Sequence, residues 1–524
     1  RLLHGETLYR DIGSSYGPLP PYLDAAALRF FGEHLDVLIA VRTLFALLGV
    51  AALQRLVQRL AGDTLKTAAI TSFIVATTFF GFGSPYPFPY SVAALEGTVG
   101  LWWALELALG ATSWRSSLAA ALLAGLAGGA KVELVPVAIA GTALALFWSR
   151  PRRQAAACTL LTALVGAASF ALPVLWVGPE ALRRHGFLIA LDSPESWRHF
   201  YSWVMFGGPD LRSYVSGGFM LTLFPSLVFL LSALALLAAS SSSPLWAGAA
   251  AAFAASGAVR IRGNDELHVL IPLAIALAVW ELASAARARA FRTPQSPHRA
   301  WVCVAVPMLL VVWRQPFFLK IPAYSAFTSP LALAFCLSWL ATRPWPRLSR
   351  AVPLLAAALC LSQGADRFRE SRFNVMRWVS LPRASLYLPI ESADLVEATA
   401  RLLDRTTRID DYACVFPEPG FITFATRRRS PFIDEQFHAG MQDATAEDEM
   451  IQRLKTRRIP VALITNRPLG FDGAEYRRGL LDRFFAEFDR SMRPVALLGD
   501  NTRRIPGMGQ AAGAVVYVPR SETP

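Results

Sequence analysis

Charged residues are scarce in this sequence. Only 17% of its 524 residues are Asp, Glu, Lys or Arg, whereas 54% are hydrophobic, and soluble domains average about 25% charged residues. Cysteines are few and scattered: there are five, four of them within apolar runs, so they predict neither a disulfide framework nor a thiolate metal site. This composition excludes an ordinary soluble enzyme and favours a membrane protein.

The common motifs of soluble catalysis are also missing. The sequence contains no phosphate-binding loop, no GxGxxG after a strand, no HExxH and no nucleophile elbow. We therefore look for chemistry among the polar residues next to the membrane.

Long apolar runs recur through the first two thirds of the chain. A run of about 20 apolar residues crosses a hydrocarbon core of about 30 Å as a helix. The pattern predicts a polytopic α-helical membrane protein with about 12 spans in this chain. The fourth and fifth runs could instead form one long interrupted helix around residues 128–131. The twelve runs are approximately 35–52, 67–83, 91–112, 117–128, 133–148, 155–177, 220–240, 245–258, 267–285, 301–313, 324–341 and 351–363.

Acidic residues are almost absent from one set of connecting loops. These loops hold 14 basic residues and a single acid, Asp63, so the positive-inside rule places them in the cytoplasm. Their balance of 14 basic residues and one acid equals the net charge of +13, which therefore does not indicate nucleic-acid binding. The predicted location is the bacterial inner membrane. The basic residues are Arg55, Arg59, Lys66, Arg115, Arg150, Arg152, Arg153, Arg287, Arg289, Arg292, Arg299, Arg343, Arg347 and Arg350.

The same assignment divides the chain into two domains. Residues 1–363 form the transmembrane domain, with outer loops at 1–34 and 178–219, and residues 364–524 lie outside the cytoplasm. This second part has 24 basic and 22 acidic residues, and its patterns predict a soluble α/β domain. Helices are expected at 392–406, 445–458 and 474–490, and strands at 412–416, 460–465, 495–498 and 514–518. Because the chain starts with Arg1, we expect a longer reading frame with a thirteenth span.

The first outer loop contains the first group of candidate residues. Residues 16–22 include three prolines and begin at Tyr16, so they predict an extended or turning segment at the membrane surface. An interfacial aromatic anchor is the alternative. Asp11 is the nearest acid before this segment.

A glycine-rich stretch provides the second group. Residues 125–133 contain three glycines and end with Lys131 and Glu133. Glycines expose backbone amides and Lys131 adds a compact positive charge, a combination that suits a phosphate group. A lysine that snorkels from a helix end is the alternative.

A third group is the polar stretch at 260–268. Arg260 and Arg262 could hold a phosphate, while Asp265 and His268 lie three residues apart and can share a helix face. A solvated loop is the alternative, and a metal site made of one Asp and one His would be incomplete. Outside this stretch, Glu96 lies near the outer end of an apolar run.

Together these motifs resemble the bacterial GT-C glycosyltransferases of the protein-mannosyltransferase and aminoarabinose-transferase type. The segments Gly5-Glu6-x-x-Tyr9-Arg10-Asp11, Tyr16-Gly17-Pro18-Leu19 and Phe31-Gly32 resemble their first outer loop. Residues 125–133 are similar to their glycine-rich stretch ending in Lys, and Asp265-x-x-His268 resembles a segment of their uncharacterised members.

The resemblance implies transfer of a sugar from a polyprenyl-phosphate donor to an envelope acceptor on the outer face of the membrane. The expected catalytic base, an acidic residue just before this segment, would precede Arg1, and Asp11 is not assigned that role. Fixed cations stabilise the leaving phosphate. We expect Lys131 with Arg260 or Arg262 to hold it, Tyr16, Asp265 and His268 to organise the site, and Glu96 and Glu133 to bind sugar hydroxyls.

Other functions remain open at this point. A transporter or flippase of lipid-linked sugars would also need many spans, and a non-catalytic assembly subunit would use the outer domain as a binding module. No cofactor is required with certainty, and a divalent metal is compatible with the pattern. The expected partners are the lipid-linked donor, an envelope acceptor and membrane lipids, and no nucleic acid.

Overall fold

The computed structural model is a bundle of apolar helices joined to a smaller α/β domain. Three of the described helices, Leu35–Ala61, Val92–Leu109 and Arg152–Val177, are long and apolar enough to cross a membrane. The described residues are 1–14, 16–79, 91–187, 270–288, 296–312, 329–342, 376–416, 420–434, 444–466, 481–504 and 511–520.

Nine of the twelve predicted apolar runs coincide with described helices of the bundle. The runs at 220–240, 245–258 and 351–363 lie outside the described residues, so the total of about 12 spans stays a prediction. The helices of this region are α1 (Leu19–Phe31), α2 (Leu35–Ala61), α3 (Thr64–Ile74), α4 (Val92–Leu109), α5 (Trp114–Ala130), α6 (Leu134–Ser149), α7 (Arg152–Val177), α8 (Pro179–His185), α9 (Leu270–Arg287), α10 (Arg299–Val312) and α11 (Ser329–Thr342).

Small side chains allow the central helices to pack closely. Helix α5 packs against α4, α6 and α7, and its buried face consists largely of alanine and glycine, including Ala120, Ala124 and Ala127. Helices in a membrane associate through such small residues because lipid tails compete for every larger apolar contact. The composition of α5 therefore explains its central place.

The fourth and fifth apolar runs form two separate helices. The chain leaves the helical conformation at Lys131, which has an extended backbone with φ −151° and ψ 126°. Helix α6 begins three residues later, at Leu134, and packs back against α5. One long interrupted helix is therefore the wrong alternative, and the break places Lys131 at the connection between the two helices.

The expectation of an extended segment at residues 16–22 is only partly correct. Helix α1 begins at Leu19 and holds two of the prolines, Pro20 and Pro21, in its first turn. The amides of a first turn have no intrahelical acceptor, so proline lacks nothing there. Only the residues before Leu19 are non-helical.

Basic side chains bind helix-end carbonyls at the end of the bundle that holds Arg55 and Arg59. Arg299 donates to the Leu109 carbonyl at 3.1 Å, and Lys66 donates to the Ala341 carbonyl at 2.9 Å. These are the last carbonyls of α4 and α11, which carry partial negative charge. Basic side chains of these loops thus satisfy carbonyl groups at the helix ends.

The C-terminal domain is a three-layer α/β structure. Its mixed sheet has the order β3-β4-β6-β5, in which only the β3–β4 pair is parallel. A hairpin of β1 and β2 and helix α13 were not predicted, whereas the other elements overlap the predicted ones. The elements are β1 (Met376–Leu381), β2 (Ala384–Pro389), α12 (Ile390–Thr406), β3 (Cys414–Phe416), α13 (Gly420–Ala425), α14 (Ala444–Thr456), β4 (Ala462–Thr465), α15 (Asp482–Ser491), β5 (Met492–Arg504) and β6 (Ala511–Pro519).

The two faces of this sheet bury different side chains. Phe416 packs on one face with the phenylalanines of α15, and Val415 packs on the other with Leu395 and Leu403 of α12. Successive residues of a strand point to opposite faces, so a short strand such as β3 has to be apolar on both. This explains why β3 was recognisable as a continuous apolar run.

Polar contacts join the C-terminal domain to the first 35 residues and to α8. The Gly13 amide donates to the Ile433 carbonyl at 3.0 Å, and the Leu35 amide donates to the Arg383 carbonyl at 2.7 Å. Arg383 also pairs with Glu33. Because Leu35 begins α2 and Arg59 lies near its other end, the domain lies at the end of the bundle opposite the arginine-rich loops.

His185 forms the most charged contact of this interface. Its Nε2 lies 3.2 Å from Glu449 Oε2 and its Nδ1 lies 3.5 Å from Asp434 Oδ1, and both carboxylates belong to the C-terminal domain. Burial lowers the pKa of the imidazole, but the two carboxylates outweigh burial and raise the pKa to about 9. Hydrogen bonding to His185 lowers the pKa of Glu449. His185 is therefore charged at neutral pH.

The contact of His185 with Glu449 and Asp434 predicts that the protein loses stability at alkaline pH. The pKa of His185 is raised from 6.5 in the unfolded chain to about 9, so its contribution is complete below about pH 6.5 and is lost as the pH rises toward 9. Unfolding of the full chain in detergent, followed against pH, should show this decline in the wild type. His185→Gln should flatten it, and an unchanged slope in that variant would contradict the assignment. Arg453 also pairs with Glu449 and is present in both proteins, so the difference between them reports on His185.

Candidate functional site

The structure brings together two of the motifs that the sequence singled out. The Gly17 amide donates to the Ala130 carbonyl at 3.1 Å. A side chain at Gly17 would have no room, because a Cβ there would lie 2.2 Å from the Gly129 carbonyl oxygen. The first outer loop therefore lies backbone to backbone on the C-terminal end of α5.

Lys131 lies at this junction with two other predicted residues. Its Nζ is 2.6 Å from Glu133 Oε2 and 6.0 Å from the centre of the Tyr16 ring. The side chain of Lys131 is 14% exposed and that of Glu133 is 39% exposed. An ammonium group over an aromatic ring is stabilised by the ring quadrupole. The arrangement is a partly buried cation whose carboxylate partner remains accessible to solvent.

The glycines of α5 have a different role from the one expected. Gly128 and Gly129 belong to the last turn of α5, where their amides take part in helical hydrogen bonding, so these amides do not cradle a phosphate. A Cβ at Gly129 would meet Ser169 of α7 at 2.5 Å. The glycines instead allow α7 and α6 to approach α5, and Lys131 remains the phosphate-binding candidate of this stretch.

A buried ionic triad lies at the same end of the bundle. Arg42 of α2 pairs with Asp24 of α1 and with Glu96 of α4, and its Nη1 lies 3.3 Å from Glu96 Oε1. The side chains of Arg42, Glu96 and Asp24 are 7%, 2% and 25% exposed. The triad joins three helices and carries one net negative charge when all three groups are ionised.

Each carboxylate of the triad keeps one oxygen unused. Asp24 Oδ1 and Glu96 Oε2 are buried and have no hydrogen-bond partner among the described residues. A buried acceptor without a donor costs roughly 1–3 kcal/mol. Such atoms therefore mark places where a donor from a ligand or from water would be favourable.

Asp24 and Arg42 were not among the residues predicted from the sequence. Asp24 lies in the first outer loop, and Arg42 lies inside an apolar run. A charged residue within a predicted span costs about 2.5–3.5 kcal/mol on insertion scales. Arg42 was therefore the sequence signal that this site contains a buried ion pair. Its partners could not be inferred, because they are 18 and 54 residues away in the sequence.

The other predicted residues have different positions. The Asp11 carboxylate accepts a hydrogen bond from the Thr7 amide at 2.8 Å and pairs with Arg10 at 2.9 Å. Partial burial raises the pKa of Asp11, but these hydrogen bonds outweigh it and lower the pKa overall, which makes the carboxylate a weaker base. Arg260, Arg262, Asp265 and His268 lie outside the described residues, and their roles stay predictions.

Nothing in the described part of the chain forms a metal centre. Its His, Cys, Asp and Glu residues include no group of three that could hold a metal ion. The basic residues at this end of the bundle suit an anionic group of a ligand, and the acidic residues suit ligand hydroxyl groups that donate hydrogen bonds.

Two solved structures are similar to the chain. One is ArnT from Cupriavidus metallidurans bound to undecaprenyl phosphate, with 12% identity and a TM-score of 0.47, covering 96% of this chain and 87% of that chain. The other is the apo state of ArnT from the same organism, with 16% identity and a TM-score of 0.39, covering 96% and 88%. No protein-family model and no curated protein sequence matches the chain.

The contact between Gly17 and α5 makes a first prediction for this site. Gly17→Ala should destabilise the full chain by about 1–3 kcal/mol, because its methyl group would overlap backbone atoms that cannot rotate away. Thermal unfolding in detergent measures the change. Gly166→Ala is the matched control: its Cβ would meet no atom closer than 3.7 Å, and alanine stabilises a helix interior by roughly 0.5–1 kcal/mol. Equal behaviour of the two variants would contradict the close approach.

The triad makes a second prediction. Arg42→Met should cost about 3–5 kcal/mol, because it leaves the buried carboxylate of Glu96 and the partly buried carboxylate of Asp24 without their cation. Arg55→Met is the comparison, since Arg55 is 63% exposed and lies 3.8 Å from Glu106, so its loss should cost about 0–1 kcal/mol. Thermal unfolding in detergent measures both changes. A small effect of Arg42→Met would show that the triad does not hold the helices together.

Proposed function

We propose that this protein transfers a sugar from a polyprenyl-phosphate donor to an acceptor on the outer face of the membrane. The observation that carries the proposal is the contact of the Tyr16–Gly17 segment with Ala130 and Lys131. It joins two of the three motifs through which the sequence resembles the GT-C glycosyltransferases. The proposal covers the reaction class, and the sugar and the acceptor are left open.

Lys131 is the proposed contact for the donor phosphate. When the bond between the sugar and the phosphate breaks, negative charge grows on the phosphate oxygens, so a fixed cation helps most in the transition state. At 4 Å and an effective dielectric constant of 20, one such charge pair is worth about 4 kcal/mol of gross interaction. Glu133 already pairs with Lys131 at 2.6 Å, so a phosphate has to compete with this carboxylate.

The chemistry requires a nucleophile and a proton acceptor besides the cation. An acceptor hydroxyl attacks the anomeric carbon, its proton passes to a base, and the polyprenyl phosphate leaves with the electron pair of the broken bond. Asp11 is unsuited because Arg10 and Thr7 already occupy its carboxylate.

Glu96 is the proposed contact for sugar hydroxyls within the bundle. Its Oε2 is buried and lacks a donor among the described residues, and a hydroxyl group is a donor of suitable size. Arg42 holds the other oxygen of the same carboxylate. Arg42 therefore fixes the direction in which Glu96 can accept a hydrogen bond.

Transport of a lipid-linked sugar is the alternative function. A transporter would need essential ionisable groups near the membrane midplane. Among the described residues, the buried acids of α4 lie toward its two ends, where Glu96 pairs with Arg42 and Glu106 pairs with Arg59. This placement favours chemistry at the ends of the bundle.

The test is transfer of label from a radiolabelled polyprenyl-phosphate sugar into membranes that contain the full-length protein. Lys131→Ala should lower the rate about 10²–10³-fold, the usual cost of removing one charge-stabilising group. Lys131→Arg should restore part of the rate because it keeps a cation. Lys66→Ala removes a lysine at the opposite end of the bundle and should leave the rate unchanged.

Full activity of Lys131→Ala would overturn the role of Lys131. Movement of the labelled donor across the membrane without any transfer would favour the transport alternative instead. Loss of activity in Lys66→Ala of the same size would indicate that lysine removal acts through folding. The three outcomes differ in a single set of measurements.

A further inference from the structure

The peptide unit between Tyr16 and Gly17 is held at both of its polar ends. Its carbonyl, which belongs to Tyr16, accepts a hydrogen bond of 2.7 Å from the Tyr9 hydroxyl. Its amide, which belongs to Gly17, donates to the Ala130 carbonyl at 3.1 Å. The amide bond alone would let the planar unit turn about the N–H···O axis. The bond from Tyr9 removes that freedom.

Tyr9 is itself fixed by burial, since only 1% of its surface is exposed. Its ring lies edge-on to the Phe187 ring, with centroids 5.6 Å apart, and Phe187 packs edge-on against Phe170 of α7 at 4.7 Å. This edge-to-face arrangement is favourable for aromatic pairs. Leu182 of α8 belongs to the same buried cluster. The hydroxyl that reaches Tyr16 therefore belongs to a side chain anchored on α7 and α8.

The backbone of Tyr9 lies in the left-handed region, with φ 68°. A bulky residue rarely adopts this conformation because it is strained, whereas glycine adopts it freely. The Tyr9 amide donates to the Ile12 carbonyl at 2.7 Å, so the turn around Tyr9 maintains the strained backbone. Residues held in such conformations cluster at functional sites. The strain at Tyr9 is therefore offset by contacts that its side chain makes.

The Tyr9 hydroxyl keeps its proton. Burial, with a smaller contribution from Tyr22, raises the pKa of Tyr9 above its usual range. A protonated phenol can donate a hydrogen bond to a carbonyl, whereas a phenolate cannot. The bond to the Tyr16 carbonyl is therefore available throughout the physiological pH range.

The orientation of this peptide unit affects where the Tyr16 ring lies. The ring belongs to the residue whose carbonyl is held, and its centre lies 6.0 Å from Lys131 Nζ. The attraction between an ammonium group and a ring face weakens when the ring turns or moves away. Lys131 also pairs with Glu133 at 2.6 Å, and the Glu133 side chain is the more exposed of the two. Without the ring, the ammonium group would follow Glu133 toward solvent.

We propose that Tyr9 is a positioning residue of the donor-phosphate site. Its hydroxyl holds the Tyr16–Gly17 peptide unit, and this unit keeps the Tyr16 ring beside Lys131. The positioning rests on the contacts of these residues alone, whereas its value for sugar transfer rests on the proposed function. A charge stabilises a transition state best when it is held in place before the reaction. Tyr9 acts through Tyr16, because its own side chain is almost completely buried.

Tyr9→Phe is the variant that isolates the hydroxyl. It keeps the ring that packs on Phe187 and removes the donor to the Tyr16 carbonyl. Tyr517→Phe is the matched control, because Tyr517 is a buried tyrosine in the core of the C-terminal domain. Its ring also lies edge-on to a phenylalanine, Phe488, with centroids 5.1 Å apart. Thermal unfolding of the full chain in detergent identifies any variant that fails to fold.

The first measurement follows the surroundings of Lys131 directly. The chain has only four lysines, so reductive methylation with isotope-labelled formaldehyde gives few NMR signals, and Lys131→Arg identifies the signal of Lys131. Methylation keeps the charge. Because a nearby ring shifts this signal, Tyr9→Phe should move it toward the position of an exposed methylated lysine, and Tyr517→Phe should leave it in place. An unmoved signal in folded Tyr9→Phe would overturn the positioning role.

The second measurement is transfer of label from the radiolabelled polyprenyl-phosphate sugar. Tyr9→Phe should lower kcat/KM roughly three- to thirtyfold, less than Lys131→Ala does, because the cation remains but is displaced. In a Lys131→Ala background the same change should have no further effect, since it acts through Lys131. A merely structural role would instead lower transfer by the same factor in both backgrounds, and this result would contradict the proposal.

The two measurements separate this inference from the proposed function. If the Lys131 signal moves in Tyr9→Phe but the wild type transfers no sugar, the proposed function is wrong and the positioning stands. If transfer depends on Lys131 while Tyr9→Phe changes neither the signal nor the rate, the positioning is wrong and the proposed function stands. A moved signal with an unchanged rate would overturn the value of Tyr9 for transfer.

Discussion

A guanidinium group inside a helix bundle has to be paired, and the pairing of Arg42 organises this end of the protein. Arg42 lies in an apolar helix and would be very costly there alone. Its two carboxylate partners come from α1 and α4, so the charge holds α1 against α2 and α4. The position of α1 in turn decides where the Tyr16–Gly17 segment lies, because this segment leads directly into the helix.

Close packing of small residues provides the second part of this organisation. Gly17 can touch the end of α5 only because it has no side chain, since a Cβ there would overlap the carbonyl oxygens of Gly129 and Ala130. The helix then ends at Lys131, whose ammonium group comes near Tyr16 and Glu133. The close approach of Gly17 therefore fixes the surroundings of the Lys131 ammonium group. This charge gives the end of α5 its chemical role.

The C-terminal domain borders this end of the bundle. Its own core is built on the two faces of one sheet, around Phe416 and Val415, and this core includes none of the transmembrane residues. It reaches the bundle through polar contacts such as those of His185 and Arg383. Contacts of this kind depend on pH and salt more than an apolar interface does, so the domain is joined to the site without being part of the bundle core.

The sequence by itself determined the parts of this protein that depend on local pattern. Apolar runs located nine helices of the bundle, and period-2 and period-3.6 patterns located most elements of the α/β domain, because hydrophobic burial acts on every segment separately. The sequence also indicated Lys131, Glu133, Tyr16 and Glu96 as polar residues near a membrane end. Only the tertiary structure decided that Tyr16 lies against Lys131 and that Glu96 shares Arg42 with Asp24. The physical reason is that ion pairs and backbone contacts across many residues depend on how helices pack, and no local periodicity records that.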